Sequence, residues 1–317
     1  MKKNQKTHHT KPAPGIKKIP KRGTPRGNII VIGGHEDKEQ DKIILEEIAK
    51  RAGRGKLIVS TMASEVPDQQ WEDYRKVFRE LGVKRVERLD IRQREDIMED
   101  PRTEIFDGAN VMFFAGGDQL KITSKIGGTP LCTAMRKMYH EGGTIAGTSS
   151  GASVMGETML IAGPGATSPE RETSGRMAPG LGFLSDVLID QHFAERGRIG
   201  RLMGAVALNP RVLGLGIDED TALIFARDFF TVVGNGSVYV IDGRGMKHSG
   251  FAQDEEQEKI SIYGLKLHLL TQSDRFLLKD RRPVPVGRDN VEAELKRLRP
   301  KPRAARKSSP TKKRKSK

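Results

Sequence analysis

The chain has 317 residues, of which 36% are apolar, and a formal net charge of +15 at pH 7. Nine Lys or Arg residues lie in 1–27 and ten in 299–317, with no Asp or Glu in either segment, which leaves 37 basic against 41 acidic side chains in 28–298. The positive charge therefore belongs to the two ends of the chain, which argues against a basic nucleic-acid-binding face on a folded body. No run reaches the ~18 apolar residues of a transmembrane helix.

The two basic ends contain few large apolar side chains, so we expect 1–27 and 299–317 to be disordered tails that contact polyanions without specificity. Residues 28–298 show no repeat or linker and are predicted to form one domain. The single cysteine, Cys132, excludes an intrachain disulfide bond. No apolar segment follows the basic N-terminus, so we expect a cytoplasmic protein.

In the first half of this domain, apolar runs alternate with segments of helical spacing. Strands are predicted over 28–34, 56–64, 83–91, 109–117 and 143–149, and helices over 41–53, 71–82 and 128–141. Such βαβ units favour a parallel sheet with both faces covered by helices. We therefore predict an α/β fold with three layers and a mostly parallel sheet.

The second half is less regular. A long loop rich in Gly, Pro, Ser and Thr is predicted over 160–182, followed by a strand over 186–193, a helix over 194–209 and a strand segment over 212–226. Residues 230–243 predict a hairpin that turns at Gly234, Asn235 and Gly236, because Asn-Gly is a frequent hairpin turn. Two more short strands are predicted within 260–278.

The stretch GTSSG (147–151) follows the fifth predicted strand and precedes small helix-compatible residues. A strand, a sharp turn and a helix form the context of a nucleophile elbow, in which glycines flank the nucleophile at two positions on either side. Only Ser149 has both glycines, since Thr148 and Ala152 occupy the corresponding positions around Ser150. We predict Ser149 as the nucleophile and the backbone N–H of Ser150 as an oxyanion donor.

A serine nucleophile needs a base, and His192 ends an apolar strand in the sequence DQHF. Ligands of open α/β sheets gather at the carboxyl ends of strands, where Ser149 is also expected. His35, which follows a strand and two glycines, is a second candidate site residue. The acid that would orient the histidine is left open by spacing alone; the candidates are Asp190, Asp218, Glu219, Asp220, Glu170 and Glu172.

Two further segments end at the same predicted edge. The paired glycines Gly116 and Gly117 allow backbone N–H groups to approach a reacting carbonyl, and Gln119 adds an amide. Arginines follow the histidine in HFAERGRIGR (192–201), and arginine binds carboxylates through two parallel hydrogen bonds. The spacings Cys-x-x-Cys and His-x-x-x-His are absent from the sequence, so we expect neither a metal nor a cofactor.

Five motifs in this order resemble the cyanophycinase family of serine peptidases, which is related to peptidase E. They are GGHEDK (33–38), FFAGGDQL (113–120), GTSSGAS (147–153), IDQHFAERGRIGRL (189–202) and GIDEDTAL (216–223). The resemblance covers about residues 27–285. It implies a fold like that of class I glutamine amidotransferase domains and the hydrolysis of cyanophycin, a poly-aspartate chain with arginine on each side-chain carboxyl, to β-Asp-Arg.

By the same resemblance, Ser149 is the nucleophile, His192 the base and Glu219 the third member of the triad. Relatives that resemble peptidase E place an acid between Ser and His, which keeps Glu170 and Glu172 as alternatives. The resemblance also assigns the substrate pocket to Gln119, Asp190, Gln191, Arg196 and Arg201. Arg196 and Arg201 would hold carboxylates, and Asp190 or Asp218 a guanidinium. Ser150 replaces the alanine expected after the nucleophile.

Three other functions compete with this interpretation. A dipeptidase acting on short aspartyl peptides would use the same fold and triad. A glutaminase-type domain would need a cysteine at the elbow, and Cys132 lies outside it. A binding module without catalysis would act through its basic tails. We further expect a homodimer, as in several enzymes of this type.

Overall fold

The computed structural model describes residues 27–161, 168–170, 174–252 and 258–284. Its helices are α1 (Ile43–Ala52), α2 (Pro67–Glu80), α3 (Arg94–Glu99), α4 (Gln119–Ile126), α5 (Pro130–Glu141), α6 (Ser150–Ser153) and α7 (Ile199–Leu208), with 3₁₀ turns at Thr103–Phe106 and Gly250–Ala252. Its strands are β1 (Ile29–Ile32), β2 (Lys56–Ser60), β3 (Arg85–Arg88), β4 (Ala109–Phe114), β5 (Thr144–Thr148), β6 (Thr158–Leu160), β7 (Met177–Pro179), β8 (Val187–Gln191), β9 (Leu213–Ile217), β10 (Thr221–Ala226), β11 (Phe229–Gly234), β12 (Val238–Asp242), β13 (His248–Ser249), β14 (Ile262–Tyr263), β15 (Lys266–Leu270), β16 (Arg275–Leu277) and β17 (Arg282–Val284).

A nine-stranded sheet with the order β17-β16-β11-β10-β1-β5-β4-β2-β3 forms the centre of the structure. Strands β1, β5, β4, β2 and β3 run parallel, and β10, β11, β16 and β17 extend the sheet with antiparallel pairs. The parallel strands are the five predicted from apolar runs. Four of them are almost wholly buried because helices cover both faces, as the α/β prediction requires, whereas β3 at the edge of the sheet buries only Val86.

The side chains of the central strands divide between two cores. Helices α1 and α2 pack on one face, where Ile44, Leu45 and Ile48 recur at helical spacing and meet Phe78 and strand residues such as Val59. Helices α3 to α6 and a second sheet cover the other face. Helix α7 packs on the far side of that second sheet through Leu202 and Val206. These layers confirm the predicted fold class.

The second sheet has four strands in the order β15-β12-β9-β8. The hairpin predicted over 230–243 is wrong, because β11 pairs with β10 in the large sheet and β12 pairs with β9 in the second sheet. The strand predicted over 212–226 likewise divides into β9 and β10. The segment β9–β10 and the segment β11–β12 thus each pass from one sheet to the other. Their turns at 218–220 and 235–237 form the corner between the two sheets.

Two short strands, β6 and β7, pair with each other at the ends of the loop predicted over 160–182. Residues 162–167 and 171–173 of that loop lie outside the described residues, as do residues 1–26 of the predicted tail 1–27 and all of the predicted tail 299–317. The domain bounds 28–298 therefore stay a prediction. Among the described helices, none is both long and apolar enough to span a membrane.

Candidate active site

Ser149 occupies the sharp turn between β5 and α6. Its φ of 53° and ψ of −118° lie in a region that residues other than glycine rarely adopt. A Cβ on Gly147 would lie 2.2 Å from the carbonyl oxygen of Gly151, and a Cβ on Gly151 would lie 2.4 Å from that of Phe114. Both glycines are thus required by the close approach of strand and helix, which holds the serine in a nucleophile elbow.

Ser149 belongs to a chain of hydrogen-bonded side chains. Its Oγ lies 2.8 Å from Nε2 of His192, and Nδ1 of His192 lies 2.6 Å from Oε1 of Glu219. The carboxylate can fix the imidazole tautomer with the proton on Nδ1, which leaves Nε2 free to accept the serine proton. The arrangement therefore has the geometry of a Ser–His–Glu triad.

Three strand ends bring these residues together. His192 directly follows β8, and its backbone N–H donates to the carbonyl of Gly33 after β1 (2.9 Å). Glu219 lies in the corner between β9 and β10, where the N–H of Asp220 donates to the carbonyl of Gly34 (2.9 Å). A Cβ on Gly34 would lie 2.2 Å from the His192 ring, so glycine is needed there for the imidazole to fit.

The alternative acids lie elsewhere. Glu170 forms an isolated bridge with Lys259 and does not contact His192 in the described structure. Glu172 lies outside the described residues. Asp190 and Asp218 have other partners, given below. Glu219 is therefore the acid that the described structure places at the histidine, which spacing alone did not decide.

Burial and hydrogen bonds perturb both titrating groups. Burial lowers the pKa of His192 from its ordinary value of 6.5, and the hydrogen bond to Glu219 opposes part of that change. Burial would raise the pKa of Glu219, but hydrogen bonds from His35 and His192 outweigh it and leave this pKa lowered. The resting site thus favours a neutral imidazole beside an ionised carboxylate, which is the state that a general base needs.

His35, the second candidate histidine, contacts the acid rather than the serine. Its Nδ1 lies 2.8 Å from Oε1 of Glu219, and its ring meets the His192 ring edge-on with centroids 5.1 Å apart. One ligand atom each from His35, His192 and Glu219 lies within 4.8 Å of the others, so these three are candidate metal ligands in the described part of the chain. His35 is therefore a second hydrogen-bond partner of the carboxylate.

The predicted oxyanion donors surround the serine. A Cβ on Gly116 would lie 3.3 Å from Cβ and 3.8 Å from Oγ of Ser149, so this backbone passes directly beside the nucleophile. Gly117 has a φ of 145° and packs against the carbonyl of Ala63. Ser150 begins α6, where a backbone N–H has no partner within the helix. These positions allow N–H groups to converge on an oxyanion.

A pocket of about 390 Å³ opens at the serine and histidine. Four of the predicted substrate residues line it: Gln119, Gln191, Arg196 and Arg201. Arg198 also lines it and is 5% exposed, while Arg201 is 2% exposed. Nε of Arg198 and Nη1 of Arg201 are buried without a hydrogen-bond partner. Unpaired buried donors are costly, so this wall of the pocket is suited to an anion that would pair with them.

Asp190 and Asp218 differ from their predicted role as partners of a guanidinium. Asp190 is fully buried behind the pocket, where it accepts hydrogen bonds from Arg198 (3.2 Å) and from Nε of Arg201 (3.0 Å) and also pairs with Nη2 of Arg201. Asp218 accepts backbone N–H bonds from Ala194 (3.0 Å) and Ser237 (3.1 Å). Both carboxylates therefore already have partners within the protein. Asp190 orients the two arginines, and Asp218 holds the corner between the two sheets through its backbone partners.

Sequence reasoning missed several pocket residues. Arg198 lies within the spaced arginines, and Glu36 and Lys38 lie within GGHEDK, but nothing in the sequence pattern marks these three as pocket residues. Gln70 and Tyr74 on α2 carry no sequence signal, because only packing of α2 on the central sheet brings them to the pocket.

Ser149 lies at a strained elbow and is linked by hydrogen bonds to a histidine and, through it, to a carboxylate. This arrangement defines the class of serine hydrolases. Comparison with known proteins gives the family: residues 29–233 match Peptidase family S51. The chain is 38% identical over 262 residues to a cyanophycinase of Trichormus variabilis, with 81% of this chain and 88% of the relative covered. It is 37% identical over 258 residues to a cyanophycinase of Thermosynechococcus vestitus, with 80% of each covered. The chain belongs to peptidase family S51 and is a serine-type peptidase.

The fold agrees with this assignment. The crystal structure of a peptidase from an acI-B1 actinobacterium superposes with a TM-score of 0.59 at 20% sequence identity and covers 81% of this chain and 98% of that chain. At this identity the likeness concerns the fold alone. It agrees with the α/β architecture predicted from the alternation of strands and helices.

Proposed function

We propose that this chain is an exopeptidase that hydrolyses cyanophycin and releases β-Asp-Arg. The observation that carries the proposal is the pair of buried arginines with unpartnered N–H groups beside a Ser–His–Glu triad. Each repeat of the polymer has a free carboxylate on its arginine, which such a pair can bind. The similarity over four fifths of the chain to proteins named cyanophycinase supports the same substrate.

In this proposal Ser149 attacks a main-chain carbonyl of the aspartate backbone while Nε2 of His192 takes its proton. Glu219 stabilises the resulting imidazolium. The N–H groups of Ser150 and of Gly116 or Gly117 hold the tetrahedral oxyanion. His192 then gives the proton to the leaving amine, and a water molecule hydrolyses the acyl-enzyme by the same steps.

The substrate is held on the arginine side of the pocket. Arg198 and Arg201 line the pocket and keep N–H donors that Asp190 does not use, and the exposed Arg196 adds positive charge at the rim. Gln119 and Gln191 are held by hydrogen bonds to Leu160 (3.1 Å) and from Ser153 (2.8 Å), which orients their remaining polar atoms. Asp190 contributes indirectly, since it fixes both buried guanidinium groups.

Mass spectrometry of the products formed from insoluble cyanophycin tests this function. We expect β-Asp-Arg to accumulate as the main low-mass product, and Asp-containing dipeptides supplied in its place to be poor substrates. Hydrolysis of the dipeptides without release of β-Asp-Arg would replace the proposal with an aspartyl dipeptidase. Removal of 1–26 and 299–317 serves as the control for a tail-driven binder, because an enzyme keeps its turnover without them.

The pH dependence follows from the neutral state of His192. Because burial lowers the pKa of His192, the base becomes half protonated only below pH 6.5, and the acid midpoint of kcat/KM on a short soluble segment of the polymer should lie below that value. The charge of Arg196 contributes to the lowering, so Arg196→Gln should move the acid midpoint upward. An acid midpoint above 6.5 in the unmodified enzyme would contradict the assignment of His192.

The cytoplasmic location and the contact of the basic tails with polyanions stay predictions from the sequence, and the homodimer stays a prediction from the resemblance to enzymes of this type.

A further inference from the structure

One charged residue of the pocket has no role in the mechanism above. Glu36 is 3% exposed, and it is the one carboxylate among the described side chains that line the pocket, against Lys38, Arg196, Arg198 and Arg201. A repeat of the proposed substrate carries a guanidinium as well as a carboxylate. The arginine wall suits the carboxylate, which leaves Glu36 as the group suited to the cation.

Two hydroxyl groups hold Glu36 in place. The Tyr74 hydroxyl donates to Oε1 and the Thr148 hydroxyl donates to Oε2, each at 2.5 Å. Burial, and then the negative charge of Glu36, raises the pKa of Tyr74 well above its ordinary value, so the phenol stays a donor. Each carboxylate oxygen has two lone pairs, and each hydroxyl uses one, so both oxygens keep capacity for a further donor.

A cation of the protein itself already occupies this position. Nζ of Lys38 lies 3.4 Å from Oε1 of Glu36 and 4.9 Å from the centroid of the Tyr74 ring. The Lys38 side chain is 33% exposed and follows β1 in a turn, so it can leave without disturbing the core. A carboxylate beside an aromatic face is an arrangement that binds a planar guanidinium better than a compact ammonium.

Gln70 supplies a second acceptor on the same wall. It lies one turn before Tyr74 on α2, lines the pocket, and its Oε1 is buried without a hydrogen-bond partner. A guanidinium has five N–H donors in a fixed plane and can serve two acceptors at once. The Glu36 carboxylate and the unpaired Gln70 acceptor on this wall, and the unpaired donors on the arginine wall, give the pocket two opposite polarities.

We propose that Glu36, Tyr74 and Gln70 form the subsite for the substrate's guanidinium group, and that Lys38 is a resident cation displaced when the substrate binds. This inference rests on the proposed function for the identity of the polymer. It assigns the preference for arginine to α2 and the turn after β1, not to the arginine cluster that follows His192.

Synthetic short segments of the polymer that carry either arginine or its neutral isostere citrulline test the subsite. The unmodified enzyme should prefer arginine in kcat/KM. In Glu36→Gln the arginine-to-citrulline ratio should fall by about tenfold or more, through a higher KM for arginine, because a charged hydrogen-bond pair is lost. The matched control is Glu195→Gln, which removes an exposed carboxylate near the site and should leave the ratio unchanged.

Lys38→Met is a second, independent test of the guanidinium subsite. It decides whether the subsite exists if thermal melting shows that Glu36→Gln does not fold. Without its resident cation, Glu36 should bind arginine segments more tightly, so KM should fall several-fold while citrulline segments respond less. An unchanged arginine-to-citrulline ratio in every variant that folds would overturn the guanidinium subsite and leave the proposed function standing. No hydrolysis of arginine segments by the unmodified enzyme would instead overturn the proposed function.

Discussion

Ser149→Ala is expected to lower kcat/KM on cyanophycin by a factor of roughly 10⁴ or more, the size of loss seen when a triad nucleophile is removed. Without Oγ no acyl-enzyme forms, and only the oxyanion donors and substrate binding remain. The variant keeps the backbone of the elbow, so its free energy of unfolding should stay within about 1 kcal/mol of the unmodified chain. Initial rates of β-Asp-Arg release and chemical denaturation measure the two quantities.

The neighbouring serine is the matched control. Oγ of Ser150 is buried without a hydrogen-bond partner, so Ser150→Ala removes a hydroxyl that contacts no other polar group. Since only the backbone N–H of Ser150 has a proposed role, this variant should keep most of its activity and its stability. Loss of activity in Ser150→Ala together with full activity in Ser149→Ala would exchange the two assignments.

Of the variants considered, Asp190→Ala is expected to lower the free energy of unfolding the most. It leaves the buried guanidinium groups of Arg198 and Arg201 side by side without their common carboxylate. Breaking a buried ion pair by removing one partner costs about 3–5 kcal/mol. Burial, partly opposed by Asp190, already lowers the pKa of Arg198 to about 10, which shows how strongly this environment opposes charge. The urea midpoint should fall accordingly, and activity should fall with it as the arginines lose their orientation.

Asp186→Asn is the control for this prediction, because Asp186 pairs with Arg211 at the exposed start of β8 (2.8 Å) and has a φ of 58°, a conformation that asparagine adopts as readily as aspartate. Exposed pairs contribute about 0–1 kcal/mol, so its midpoint should barely move. The comparison separates two roles of Asp190. If Asp190 bound the substrate directly, Asp190→Ala would raise KM and its urea midpoint would stay close to that of Asp186→Asn.

The parallel half of the fold and the elbow could both be predicted because local rules decide them. Buried parallel strands give continuous apolar runs, and the sharp turn at Ser149 requires Gly147, where a Cβ would meet the carbonyl of Gly151 four residues later. Gly151 fits the same sequence pattern, although its need for glycine comes from the close approach of Phe114 in β4. His192 followed from its place after a strand, since carboxyl ends of strands converge. The false hairpin at 234–236 shows the limit, because the same Gly-Asn-Gly turn also serves a corner between two sheets.

The sequence by itself therefore determined which serine and which histidine are candidates, and it supplied the arginines that follow the histidine. Only the tertiary structure decided that Glu219 meets His192, that Asp190 is occupied by two arginines, and that Glu36 faces the pocket with Tyr74 and Gln70. The physical reason is distance along the chain. Steric rules act between neighbouring residues, whereas the partner of a carboxylate is set by the packing of strands and helices that the sequence pattern does not specify.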